Sequence, residues 1–148
     1  MAERRSALPI FLALEAEARA KAGHCDTALQ VITEALLISE ETGERFAVAE
    51  LLRIKAGLLL ATGRPTNEVE ALLVNSLQIA GHQQARSWEL RTACDLARLW
   101  QRDGRGAEAL RLIKTIYAQF TEGFDTPDLR DAEALQAELQ LSESRRSR

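Results

Sequence analysis

The stretch Leu96-Ala97-Arg98-Leu99-Trp100-Gln101-Arg102-Asp103-Gly104-Arg105-Gly106-Ala107-Glu108-Ala109-Leu110-Arg111-Leu112-Ile113 contains a helical apolar pattern, a glycine stop and a second helical pattern. Ala97 precedes Gly104 by seven residues, and Ala109 and Ile113 follow it by five and nine. Small residues at those places let two helices approach closely, and the large residue one turn on fills the space beside the contact. The glycine supplies the left-handed residue on which a helix ends. A helical hairpin follows from these few positions.

The same hairpin recurs along the chain. Gly23, Gly63 and Gly104 stand 40 and 41 residues apart. Ala16, Ala56 and Ala97 each precede their glycine by seven residues, with Leu12, Leu52 and Ala93 a turn earlier. Beyond the glycines, Ile32, Leu73 and Ile113 correspond, as do Ala35, Ser76 and Ile116, then Leu36, Leu77 and Tyr117. Breaks at Gly23, Gly43, Gly63, Gly81, Gly104 and Gly123 separate seven helical segments, near residues 8–22, 26–41, 46–62, 67–80, 86–103, 107–121 and 127–141. Asp26 and Thr126 read as helix caps, Asn67 with Glu70 as a capping box, and Pro127 as a first helical residue. The fold class expected is all-α: a solenoid of about three helical hairpins (8–42, 46–82 and 86–122), a capping helix over 127–141, one domain over 1–141, and a disordered tail over 142–148.

Composition agrees. The 148 residues include 24 Ala and 23 Leu against 11 Val plus Ile, which favours helix over sheet. A net charge of −3 argues against nucleic acid as a partner. The densest apolar run, Ala56 to Ala61, is far short of the ~20 residues a bilayer span needs. Arg4 and Arg5 ahead of Leu8 to Leu14 loosely imitate a secretory signal, but Glu15 and Glu17 interrupt it. Cys25 and Cys94 match no metal or redox spacing, so a cytoplasmic chain with reduced thiols is expected.

The pattern of Ala97, Gly104, Ala109 and Ile113 resembles the tetratricopeptide repeat, although the spacing here exceeds its 34-residue period. Three stretches carry a narrower similarity: Glu50 to Leu60; Glu89-Leu90-Arg91 with Leu96 to Trp100; and Phe120-Thr121-Glu122-Gly123-Phe124-Asp125-Thr126-Pro127-Asp128-Leu129. Together they are similar to the C-terminal repeat region of large bacterial signalling proteins that carry a nucleotide-cyclase domain and a STAND-type ATPase domain upstream. The similarity runs from about Gly43 to Leu139. It implies a protein-binding, scaffolding or regulatory array rather than the catalytic parts. The alternative is that the chain is a C-terminal regulatory fragment of such a cyclase or ATPase.

Catalytic patterns are missing from the sequence. Gly104-Arg105-Gly106 lacks the length and the Lys of a phosphate loop. His24 and His82 both follow a helix-ending glycine, where a cation is favourable, and no Ser-His-Asp or Cys-His set assembles around them. Trp100 falls on a core position of the repeat. No enzyme activity, cofactor or metal is expected.

Two binding faces remain. Arg91, Arg98, Arg102 and Arg105 recur at helical spacing; the resemblance to tetratricopeptide arrays, whose first helix in each unit lines the concave groove, implies that Arg53 joins them there by register, with Glu50 and Glu17 on the matching faces of earlier helices. These residues predict a groove with a basic end for a protein or acidic peptide segment; a solvated charged face competes with that reading. The places where repeats that clamp chaperone tails carry Lys and Asn hold Glu17, Gly57 and Arg98, so that ligand is not expected. On the first helix Ile10, Phe11 and Leu14 extend beyond the stripe that faces its own repeat, which predicts self-association as a homodimer.

Overall fold

A computed structural model describes residues 7–148. The signal-like Arg4 and Arg5 lie outside the described residues, as does the start of the expected domain. Among the described residues seven helices follow in order: α1 (Leu8–Lys21), α2 (Cys25–Thr42), α3 (Val48–Ala61), α4 (Thr66–His82), α5 (Arg86–Arg102), α6 (Gly106–Tyr117) and α7 (Pro127–Arg146). The architecture is all-α, with no strand among the described residues. By its internal contacts the chain gathers into two compact units, Met1–Ile79 and Ala80–Arg148.

In the first unit α1 packs on α2 and α3, and α2 packs on α3. Ala16, Ala28 and Ile32 are fully buried at the centre, with Leu51, Ile54 and Leu58 contributed by α3. The two alanines leave the space that lets α1 and α2 close on each other. Ser76 of α4 stands where the other repeats have Ala35 and Ile116. Its buried hydroxyl donates to the Ala49 carbonyl at 2.7 Å, which satisfies the polar group.

In the second unit α6 packs on α5 and α7, and α5 packs on α7. Ala97, Ala109 and Ile113 are completely buried, at the positions equivalent to those of the first hairpin. Leu129, Ala132, Leu135 and Leu139 of α7 are buried too, while Arg130, Asp131, Glu133 and Glu138 face water. The helix is amphipathic, with an apolar face buried and a polar face in water.

One hydrogen-bond pattern recurs at the three hairpin turns. The Gly23 and His24 amides donate to the carbonyls of Ala20 and Arg19. Gly63 and Arg64 donate likewise to Leu60 and Leu59, and Gly104 and Arg105 to Gln101 and Trp100. This is the Schellman closure, and it requires a left-handed residue; the three glycines have φ of 85°, 76° and 78°. The turn after α4 corrects the expectation. Gly81 stays within the helix, and Gln84 takes the left-handed position at φ 55°, with Gln84 and Ala85 donating to the Gly81 and Ala80 carbonyls. Gly81 has a different use: a Cβ there would sit 3.3 Å from the Glu89 carboxylate. Because a left-handed non-glycine residue costs about 1–2 kcal/mol, and added unfolded-state freedom offsets part of the relief, Gln84→Gly should stabilise the chain by about 0.5–1 kcal/mol. Chemical denaturation measures this; a midpoint that stays put or falls contradicts it.

Other boundaries also differ from expectation. His24 is the N-cap of α2, so Asp26 lies in the first turn, and α4 begins at Thr66, ahead of Asn67. Thr126 does hold the N-cap of α7 ahead of Pro127, but its side chain makes no capping bond. The tail expected to be disordered from Ser142 is helical to Arg146. Arg146 donates to the Gly104 carbonyl at 3.1 Å, and the Glu143 carboxylate lies over Gly106, where a Cβ would collide with it. These contacts anchor the last turns of α7 to the link between α5 and α6.

Candidate functional site

The acidic and basic residues of the first unit come together. Arg53 on α3 reaches Glu17 of α1 at 3.2 Å and Glu50, one turn back on its own helix, at 3.0 and 2.7 Å. Glu50 is buried, and the Arg53 side chain is 16% exposed. A carboxylate so placed needs a charged partner, and the guanidinium fork supplies two donors in one plane. Arg53 thus ties two carboxylates instead of offering a free cation.

On α5 the arginines point to a partner that the sequence spacing does not reveal. Arg91 donates to Asp128 of α7 at 2.9 Å, and Arg98 to Asp131 at 2.6 and 2.8 Å. Gln101 adds a bond to Glu138 at 2.9 Å. Burial works against the charge of Arg98, but the Asp131 hydrogen bond and charge outweigh it and raise its pKa above the ordinary value. Both ion pairs are substantially exposed, and pairs of that kind contribute about 0–1 kcal/mol each. Their consequence is electrostatic: Arg91 and Arg98 already face acidic residues of α7.

Arg102 is exposed and has no ion-pair partner among the described residues. Arg105 falls outside α5, as the N-cap of α6. Its guanidinium stacks 4.6 Å from the centre of the Trp100 ring, and its hydrogen bond to Glu108 holds that carboxyl below its usual range. Trp100 is accordingly half-buried under an arginine rather than enclosed in the core.

The residues expected to self-associate divide. Phe11 is 63% and Leu14 59% exposed, whereas Ile10 is half-buried and packs against the core of the first unit. Proline at the start of α1 is buried beside Ala13 and Ala16, so the inward stripe runs through Pro9, Ala13 and Ala16.

Among the described residues no group of three or more His, Cys, Asp or Glu is arranged to hold a metal ion, and no helix is long and apolar enough to cross a membrane. The cysteines differ sharply. Burial, helped by the nearby Asp131, pushes the Cys94 thiol up to about 12, while Cys25 is only half-buried at the start of α2. Since the thiolate is the reactive form, an aromatic disulfide reagent at neutral pH should titrate Cys25 in the native chain and reach Cys94 only after unfolding. Equal labelling rates for both thiols would contradict the burial.

No known family model matches the chain. It is 37% identical over 78 residues, 53% of its length, to an uncharacterised protein of Rhizobium meliloti (strain 1021), and it spans 8% of that protein.

Proposed function

We propose that the chain is a tetratricopeptide-like array that binds protein segments, as a non-catalytic scaffolding or regulatory part of a bacterial signalling assembly in the cytoplasm. The observation that supports this is the recurrence of one hairpin: the same Schellman turn at Gly23, Gly63 and Gly104. Around it, Ala16, Ala56 and Ala97 are completely buried in the same register. Hairpins repeated in this way leave inner helices with polar and apolar side chains open to a partner, the use to which such arrays are suited. The Rhizobium meliloti protein, of which the chain spans 8%, is long, and its length favours an array attached to larger machinery. A cyclase or STAND-type ATPase is the parent that the sequence resemblance suggests. Exposed Phe11 and Leu14 extend the reading to a contact with a neighbouring repeat or a second copy.

The test is capture of a protein from a bacterial lysate on the immobilised chain, followed by calorimetric titration with the purified partner. Saturable binding, with no turnover of ATP or GTP by the chain alone, is the expected result. Nucleotide turnover by the chain, or failure of every captured protein to bind saturably, would overturn the proposal.

A further inference from the structure

Gly57 has no evident structural reason to be glycine. It lies in the interior of α3, it is exposed, and it is not among the residues with positive φ. A Cβ built on it meets no heavy atom within 4 Å. Glycine in a helix interior is destabilising relative to alanine, so neither a turn nor a close helix contact accounts for it. Its bare backbone instead borders a cavity of about 270 Å³ between α1 and α3.

The cavity has an apolar lining and a charged rim. Ala20, Ile54 and Leu58 provide the lining; Glu17, Lys21 and Arg53 stand at the rim. Arg53 already binds Glu17 and Glu50. Lys21 has no ion-pair partner among the described residues. It sits in the last turn of α1, where a cation is favourable but remains available. An incoming cation would meet carboxylates engaged by Arg53; an incoming carboxylate would meet an unengaged ammonium.

The pocket is open to solvent, and its volume of about 270 Å³ lies at the small end of the ~300–1,000 Å³ typical of small-molecule sites. It has room for one side chain inserted from the surface. We propose that this cavity receives a single aromatic or branched apolar side chain of a peptide, and that an acidic residue next to it in that peptide pairs with Lys21. The apolar side chain supplies burial and the acid supplies direction, the usual division between anchor and rim. The proposal rests on the peptide-binding reading of the array and names the subsite.

Random peptides displayed on phage are selected on the immobilised full chain, and the enriched sequences are synthesised as amidated peptides and titrated. The expected result is enrichment of Phe, Tyr, Leu or Ile beside Asp or Glu. Gly57→Leu should weaken these peptides about tenfold or more, because it fills the cavity that the anchor needs. Gly57→Gln fills the same space with a polar group and should act alike; circular dichroism checks that both variants keep the native helix content. Lys21→Glu should reverse the preference for the neighbouring acid. If the enriched peptides bind both Gly57 variants as tightly as the wild type, the subsite is wrong and the array reading stands. An absence of enriched peptides overturns the subsite; absence of a saturable lysate partner as well overturns both.

Discussion

Leu139→Asp should unfold the second unit, and Leu139→Ala should lower its stability by about 3 kcal/mol. Leu139 is completely buried, and Leu129 and Leu135 beside it on α7 are each 3% exposed. Each enclosed leucine contributes about 1.5–3 kcal/mol from burial alone. The three together therefore amount to a large share of the ~5–15 kcal/mol by which a domain is stable. The ion pairs from Arg91 and Arg98 to α7 add little, being exposed, so apolar contact decides whether α7 stays docked. Thermal unfolding followed by circular dichroism is the measurement, with hydrogen exchange at α5 and α6 amides to localise the loss. A Leu139→Asp chain that melts like the wild type would show that α7 is dispensable.

The backbone plan was largely legible in the sequence because it depends on local patterns. Gly23, Gly63 and Gly104 mark their turns by residue type, and alanines at a fixed distance from them mark the buried contacts. The left-handed Gln84 was not legible. Nothing in a glutamine announces positive φ, and nearby Gly81 offered a more obvious stop. Nor did composition show that the polar residues after Leu141 remain helical, since their contacts with Gly104 and Gly106 come from another hairpin. The candidate site was legible only as a set of residues. Spacing placed Arg91 and Arg98 on one face of α5, but their pairing with Asp128 and Asp131 depends on how α7 docks. That pairing changes what a charge-reversal experiment tests. Replacing both arginines by Glu would set like charges against α7 and mix a docking defect with any binding defect. Gln at both positions is the cleaner substitution. Gly57 shows the opposite limit: its identity is plain in the sequence, but only its surroundings show that no contact in the fold asks for a glycine there.

Arg53→Met should destabilise the first unit by about 2–4 kcal/mol, more than a surface arginine would. The reason lies in what remains behind. Glu50 is 6% exposed and loses two hydrogen bonds of 3.0 and 2.7 Å, so its carboxylate stays in a poorly hydrated place without that guanidinium. Glu17, 37% exposed at its side chain, recovers water and contributes little to the loss. The asymmetry gives the experiment its power. Glu50→Met alone also breaks the pair but leaves Arg53 with Glu17 and partial access to solvent, so its cost should be smaller. Removing both charges with Arg53→Met and Glu50→Met takes the buried carboxylate away together with its guanidinium, so the double variant should be more stable than Arg53→Met alone. Urea denaturation of the four proteins closes the double-mutant cycle, with a coupling of about 1–3 kcal/mol expected for groups in direct contact. A coupling near zero, or an Arg53→Met variant within about 0.5 kcal/mol of the wild type, would mean that the network of Arg53, Glu50 and Glu17 is an incidental surface pair.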